Sequence, residues 1–196
     1  LKIWALISCI CAFSSLSAQN RAGIDDNESA APTIGAVSLV IGKAFIEPAS
    51  ARGTRAKIGD FIREGDTIRT ESSGHVHIRF VDQAVLSVRP MSELQVIAYQ
   101  FDRGNPENSL VKLNLIQGTA RTVSGEATKT ARDRFRLNTP IAAIGVRGTD
   151  FVVSTTSDSL KALVNDGAIV VAERNTISGA GEGSGMGIRS SMVTAN

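Results

Sequence analysis

Two histidines are the first residues of this sequence whose type and spacing could do chemistry. His75 and His77 are the only histidines and lie two residues apart, so on a β-strand they share one face. Two imidazoles could bind a metal ion, but two ligands alone make an incomplete site. The alternation of apolar residues around them predicts that both face solvent. We therefore interpret them as ordinary surface histidines and predict no metal site.

Carboxylates form a second candidate group, at Asp60, Glu64 and Asp66. Paired acids could act as general acid and base. Each Asp, however, follows a glycine, at Gly59 and Gly65. Turn formation explains this pattern better, because glycine reaches backbone angles that other residues avoid and an Asp side chain accepts hydrogen bonds from nearby amides.

Other reactive constellations are missing from the sequence. Both cysteines, Cys9 and Cys11, lie in the N-terminal segment. There is no G-x-S-x-G motif, and the Gly-rich C-terminal stretch lacks the features of a phosphate-binding loop. The net charge is +2 with no basic block, which argues against nucleic acid as a partner. We predict a protein that is not an enzyme, has no catalytic residue, uses no cofactor and binds no nucleic acid.

The N-terminal segment has the layout of a secretory signal. Lys2 precedes a nearly unbroken apolar run that ends at Phe13, and small residues up to Ala18 fit a signal-peptidase site. The run is shorter than the roughly 20 residues of a membrane span. We predict a signal peptide over residues 1–18, no stable membrane span after cleavage, and a periplasmic or secreted protein. An uncleaved signal anchor and a lipoprotein acylated at Cys9 are the alternatives.

Short runs in which apolar residues recur at every second position form the scaffold that positions the candidate residues above. In the clearest run, Val76, Ile78 and Phe80 alternate with polar side chains, which is strand geometry. The same pattern recurs at Leu86 and Val88, at Leu94, Val96 and Ala98, at Val111, Leu113 and Leu115, at Phe135 and Leu137, and at Phe151 and Val153. These runs predict an all-β fold, a solenoid-like or sandwich-like stack of short antiparallel strands.

Turn signals separate the runs and divide the chain. Residues 160–164 and 168–171, joined by Asn165-Asp166-Gly167, predict a hairpin. We predict a flexible leader over 19–33, a β domain over 34–174, and a Gly-rich tail or final edge segment over 175–196. Two longer polar loops, Asp102–Ser109 and Ser124–Asp133, are the candidate contact segments, since binding usually resides in long loops on a β scaffold.

The segment from Thr139 to Phe151 is dense in conformationally special residues. Pro140 fixes one backbone angle, and Gly145 and Gly148 permit a bulge or close backbone approach. Arg147 offers five donors between them. We predict a tight, buried backbone crossover locked by Arg147, and the alternative is an arginine that binds an anionic ligand.

This segment, which ends in Gly-Val-Arg-Gly-Thr-Asp-Phe, resembles the signature of the FecR domain family. Upstream, the two Gly-Asp pairs with the Thr-Ile-Arg-Thr that follows, the strand 76–80, Asp82, Leu86, Ser92 and Gln117-Gly118 are similar to further family motifs in the same order. The resemblance runs from about Val37 to Ala172. In one departure, Gln83 stands where the family usually has glycine after the Asp of a turn, and this indicates a different turn type.

The resemblance implies an all-β, solenoid-like domain whose signature residues have mainly structural roles. Carried over position by position, these are Gly59, Asp60, Gly65, Asp66, Thr70, Asp82, Gly118, Thr139, Pro140, Gly145, Arg147, Gly148, Thr149 and Phe151. Classical members join this domain, through a membrane helix, to a cytoplasmic anti-sigma domain and receive a signal from an outer-membrane transporter. This chain has no room for the anti-sigma part, so we expect a stand-alone exported member.

Two functional hypotheses follow. The first is a periplasmic FecR-type protein-interaction module that contributes to extracytoplasmic signal transduction or regulation, with another envelope protein as its partner. The second is a cell-envelope structural or polysaccharide-binding β protein. Sugar binding usually relies on exposed aromatic residues, and aromatics make up only 5% of this chain, which favours the first hypothesis.

Overall fold

A computed structural model describes residues 31–49, 51–174 and 190–195. The predictions for the signal segment, for leader residues 19–30 and for residues 175–189 lie outside the described residues. The described chain forms thirteen strands. They are β1 (Thr33–Ile41), β2 (Ala44–Glu47), β3 (Thr54–Arg55), β4 (Phe61–Arg63), β5 (Thr67–Thr70), β6 (His75–Phe80), β7 (Val85–Val88), β8 (Glu93–Gln100), β9 (Leu110–Val123), β10 (Phe135–Asn138), β11 (Ala142–Thr155), β12 (Leu160–Glu173) and β13 (Ser190–Thr194). The prediction of an all-β fold is confirmed.

The strands pack as two layers with the core between them. The first layer has the order β3-β2-β5-β8-β9-β10-β11-β12-β13, and the second has the order β4-β1-β6-β7-β9-β11-β12. Ring contacts join the layers. Phe80 of β6 stacks on Tyr99 of β8 with centroids 4.1 Å apart, and Phe135 of β10 meets Phe151 of β11 edge-on at 6.3 Å. Neighbouring strands are antiparallel except β9 and β10, which are parallel.

Three strands belong to both layers, because each bends from one into the other. The first half of β9 pairs with β8 and β10, and its second half pairs with β7 and β11. Similarly, β11 and β12 change layer near their middles. A glycine with positive φ lies at each bend, namely Gly118 (φ 88°), Gly148 (φ 60°) and Gly167 (φ 82°). These strands are 14 residues long, so they exceed the short strands that the sequence pattern predicts.

The predicted hairpin at Asn165-Asp166-Gly167 is wrong, since β12 runs through it as one strand. A Cβ on Gly167 would collide with the carbonyl oxygen of Gly148, so the bends of β11 and β12 lie against each other. The Asn-Asp-Gly sequence does indicate a positive φ at Gly167. A bend between layers needs this conformation just as a hairpin turn does.

The alternating residues fill the core largely as predicted. Val76, Ile78 and Leu86 have no exposed surface, and Phe151 is also fully buried. β8 differs, because its register with β9 shifts between Val96 and Ala98. This bulge reverses the alternation, so that Tyr99 takes the inward position predicted for Ala98.

The molecule has two ends that differ in structure. Loop 102–109, which contains a 3₁₀ turn at Pro106–Asn108, and segment 124–134 lie at one end, the loop end, with the β6–β7 turn. The bend at Gly118 and the turns at 139–142 and 156–159 lie at the other end, the corner end. A single-turn helix, α1 (Glu126–Thr130), occupies the second predicted loop. Among the described residues, no helix has the length and apolar character to cross a membrane.

Candidate interaction surface at the loop end

The two loops predicted as contact segments are brought together by the fold. Helix α1, in segment 124–134, packs against the 3₁₀ turn of loop 102–109. Side chains exposed to solvent cover this surface, which we call the loop-end surface: Arg103, Asn105, Glu107, Asn108, Glu126, Asp133 and Arg134. The surface carries both signs of charge and is formed by segments distant in sequence.

Asp82 anchors the loop end from within. It is 1% exposed, and its Oδ1 accepts hydrogen bonds from the Tyr99 hydroxyl (2.6 Å) and the Ala84 N–H (3.1 Å). Its Oδ2 accepts one from the Ala127 N–H (3.2 Å), which lies in α1. Gly125 allows the approach, since a Cβ there would collide with Asp82. This one carboxylate therefore joins the β6–β7 turn, β8 and α1.

The Tyr99 hydroxyl is held as a donor by its surroundings. Burial, and then the charge of Asp82 and the hydrogen bond to it, raise the pKa of Tyr99 far above its usual value. The hydroxyl therefore stays protonated and continues to donate to Asp82. Since Tyr99 is the only tyrosine and is 4% exposed, it offers no ring surface for a sugar.

Further carboxylates at this end also accept backbone N–H groups. Glu64 Oε1 accepts from Tyr99 N (2.7 Å), at the bulge in β8. Asp102 Oδ1 accepts from Gly104 (2.8 Å) and Asn105 (2.9 Å), which folds the first loop upon itself. Both loops are thus held by side chains of the β6–β7 turn and of the loops themselves.

Asp66 accepts from Arg63 N (2.8 Å) and is 4% exposed. Burial raises the pKa of Asp66, although the hydrogen bond from the Arg63 amide and the Arg63 charge partly oppose this. Asp60, in the other Gly-Asp pair, accepts from Lys57 N at 2.8 Å. Both acids therefore form turns, and Gly59 and Gly65 precede them with φ of 91° and 88°.

A groove of about 500 Å³ opens beside the first loop. Its apolar wall includes Ile34, Val81 and Phe101, and its polar groups include Glu64 and Asp102. The groove is open to solvent at the loop end. It therefore extends the loop-end surface with a concave, mostly apolar part that carries carboxylates.

The family-signature residue Thr70 lies at the corner end and contacts backbone. Its hydroxyl lies within hydrogen-bond distance of the Arg89 and Ser92 carbonyls and accepts from Ser92 N (3.0 Å). Ser92 Oγ in turn accepts from Thr119 N (2.8 Å). A Cβ on Gly118 would collide with Ser92 and the Met91 carbonyl. The hydrogen bonds of Thr70 and Ser92 and the close approach at Gly118 hold the bend of β9 in contact with the start of β8.

The Thr-Pro run begins with a tight turn. Thr139 Oγ1 accepts from Ala142 N (3.0 Å) and donates to the Ala142 carbonyl (3.0 Å), while Pro140 is exposed. A Cβ at Gly145 or at Gly148 would have free space around it. Neither glycine is therefore needed for a close approach of two backbone segments. Gly148 instead provides the positive φ of the bend.

β11 crosses from one layer to the other at Gly148, and Phe151 follows in the core. Thr149 N donates to Ser124 Oγ (3.0 Å), which links the bend to the second loop. The backbone of Arg147 pairs with Ala168. The prediction about its side chain lies outside what the structure describes.

The histidines lie on the outer face of the second layer, and both are partly buried. The Nε2 atoms of His75 and His77 are 3.0 Å apart. Partial burial lowers the pKa of both, and the charge of Arg89 acts in the same direction. Arg121 lies nearby and binds Asp150 through two hydrogen bonds of 2.8 and 2.7 Å, which lower the pKa of Asp150. The described residues contain no group of three or more potential metal ligands.

Sequence reasoning missed the partners of Asp82 and the short helix. Tyr99 and Ala127 are 17 and 45 residues away from Asp82, and spacing gives no signal for such contacts. A five-residue helix is too short to show a 3.6-residue period. The one available hint was the single tyrosine, whose hydroxyl usually finds a hydrogen-bond partner when it is buried.

Comparison with known proteins identifies the family. No curated protein matches. Two solved structures resemble the chain: a cell surface anchoring domain (29% identity, 32% of this chain and 82% of that one, TM-score 0.31) and a proposed anti-sigma factor from Parabacteroides distasonis ATCC 8503 (15% identity, 66% of this chain and 51% of that one, TM-score 0.45). The profile of the FecR protein family matches residues 66–170, which include the Asp82 anchor, both loops and all three bends. The chain therefore belongs to the FecR family.

Proposed function

We propose that this protein is an exported FecR-type module that binds another envelope protein and thereby contributes to signal transduction. Membership of the FecR family supports the regulatory role. The observation that carries the binding role is that segments 102–109 and 124–134 meet in one exposed surface on the β scaffold. The signal-like N-terminal segment supports location in the periplasm or outside the cell.

The protein acts by binding and without catalysis. The buried carboxylates at the loop end are Asp82 and Asp66, and both accept hydrogen bonds from the protein's own backbone. A carboxylate used in this way stabilises the loops, and it is not free to exchange protons with a substrate. The exposed side chains of the loop-end surface remain available to a partner.

The loop end is a better contact site than the sheet edge. The first half of β12 pairs only with β11 among the described residues, and Leu163 on it is 63% exposed. That edge also carries Lys161 and ends at the bend of Gly167, and both features oppose the addition of a strand. The loop-end surface has no such protection.

Site-specific photocrosslinking tests the proposal in cells of the source organism. A photoreactive amino acid replaces Glu107 at the loop end, and in a matched variant it replaces exposed Ser157 at the corner end. We expect discrete crosslinked bands from position 107 and much weaker bands from position 157. Equal crosslinking from both positions, or none from position 107, would contradict the proposed surface.

A charge-reversal variant tests the link to signalling. Arg103→Glu combined with Glu107→Lys keeps the net charge and changes only exposed loop side chains. We expect unchanged thermal stability, loss of the crosslinked partner, and a transcript profile like that of the deletion strain. A wild-type profile together with loss of the partner would separate binding from signalling and refute the regulatory role.

A further inference from the structure

The two histidines of β6 have a mutual geometry that ordinary surface residues do not require. They lie in successive positions on one face, and their Nε2 atoms are 3.0 Å apart. Nε2 is the ring atom farthest from the backbone, so the two nitrogens meet on the outer side of the second layer, away from the core. Both rings are partly buried, which restricts their rotation.

Ring positions distinguish two explanations of this contact. A straight N–H···N hydrogen bond would place the centroids about 5.4 Å apart, because each ring centre lies about 1.2 Å behind its nitrogen. The centroids are 4.7 Å apart. If both ring axes instead point at one ion about 2.0 Å from each nitrogen, similar triangles give about 4.8 Å. The separation of 4.7 Å therefore fits a symmetric convergence of the two ring axes on a common point.

The same triangle gives the angle at that point. Two nitrogens 3.0 Å apart, each about 2.0 Å from an ion, subtend about 97°. This is close to the cis angle of a square-planar or tetragonal ion and smaller than a tetrahedral angle. Cu²⁺ and Ni²⁺ favour tetragonal sites with nitrogen ligands, whereas Zn²⁺ favours tetrahedral ones.

The charges nearby permit a cation, although they weaken its binding. Arg121 binds Asp150 through two hydrogen bonds, but its charge still lowers the pKa of His77. Arg89 acts on both histidines in the same direction, and the described residues provide no carboxylate within salt-bridge distance of it. Since its side chain is long and exposed and starts just after β7, it can turn towards solvent.

The geometry points to a two-histidine site at His75 and His77 for a divalent transition metal of the Cu²⁺ type. The protein supplies two cis imidazole nitrogens, and water or a partner's side chain completes the coordination. This site is separate from the loop-end surface and independent of the proposed binding role. It replaces our interpretation of the pair as ordinary surface histidines.

Copper titration of the full chain tests the site. The protein carries Cys9→Ser and Cys11→Ser, since thiolates also bind copper, and no histidine tag. His75 and His77 are then its only imidazoles. We expect one Cu²⁺ per chain by calorimetry and an electron paramagnetic resonance spectrum with two coordinated imidazole nitrogens. His77→Asn should weaken binding at least about tenfold and leave one imidazole nitrogen.

A matched variant separates chelation from simple histidine content. His77→Asn with Arg79→His keeps two histidines on the same face of β6 but places them about 13 Å apart. We expect it to bind copper as weakly as His77→Asn alone, with circular dichroism and melting temperature unchanged. Binding equal to that of the parent protein, or no saturable binding by the parent, would overturn the proposal.

Discussion

At the loop end, backbone N–H groups are held mainly by carboxylates, with Ser109 and Ser124 as further acceptors, whereas at the corner end they are held by hydroxyls. Asp82, Glu64 and Asp102 accept from the amides of α1, β8 and the first loop. At the corner end, Thr70 and Ser92 do this for β8 and β9, with Thr139 and Thr156 serving the nearby turns. The loop end therefore depends on charge and the corner end on close packing.

This difference has a physical reason. A carboxylate has more acceptor sites than a hydroxyl and makes stronger, charge-assisted hydrogen bonds, so one Asp can hold several irregular segments. A hydroxyl bonds over short distances and suits a tight turn. An end that carries irregular loops benefits from the first arrangement, and an end where strands bend sharply benefits from the second.

The largest expected effect is that of Asp82→Ala at the loop end. The substitution leaves the Tyr99 hydroxyl and the N–H groups of Ala84 and Ala127 without their buried acceptor, so we expect a loss of about 3–5 kcal/mol. Urea unfolding measures it. The control is Asp60→Ala, which removes a single exposed bond and should cost about 0.5–1 kcal/mol. If Asp82→Ala and Asp60→Ala lost similar stability, Asp82 would not differ from an aspartate that only forms a turn.

The next effect is expected at the corner end, for Gly118→Ala. Its φ of 88° and the collision with Ser92 and the Met91 carbonyl predict a loss of about 2–4 kcal/mol. Gly145→Ala is the matched control within the family signature, because its surroundings are open and its φ is not positive. We expect a change within about 0.5 kcal/mol for it by the same measurement. If the two variants lost equal stability, steric packing would not explain the corner end.

A pH-dependent effect is expected for Asp66→Asn. Because burial raises the pKa of Asp66 above 3.8 in the folded state, ionisation lowers stability as the pH rises through the folded value. Asparagine can still accept from the Arg63 amide and carries no charge. We expect the variant to be more stable than the wild type at neutral pH and equal to it below pH 3.8. A constant difference across this range in thermal melts would show that charge burial is not the cause.

The smallest effect is expected for Gln83→Gly in the β6–β7 turn. Gln83 has φ of 68°, the left-handed conformation that glycine adopts without strain. The gain should be about 0.5 kcal/mol, because relief of this strain is partly offset by the greater freedom of glycine in the unfolded chain. Differential scanning calorimetry would show a slightly higher melting temperature. A decrease would mean that the Gln83 side chain makes stabilising contacts.

The strand pattern was predictable from sequence because a half-buried strand alternates strictly. Val76, Ile78 and Phe80 show this directly. The layer to which each strand belongs was not predictable, because a bend such as Gly167 has the same local signal as a hairpin turn. The partners of Asp82 and the contact between the histidine nitrogens depend on tertiary packing and on ring orientation. The loops of the candidate surface were found by length and polarity, but their mutual contact was not.

The three strands that change layer also determine how the molecule responds to force. β9 joins the layers at the corner end, and β11 and β12 join them at the loop end, in each case through continuous main chain. One layer cannot slide past the other without breaking strand hydrogen bonds or changing backbone angles at both ends. A force applied at the loop-end surface would therefore be transmitted to the corner end with little sliding of one layer against the other. A protein of this construction can transmit tension between two attachment points.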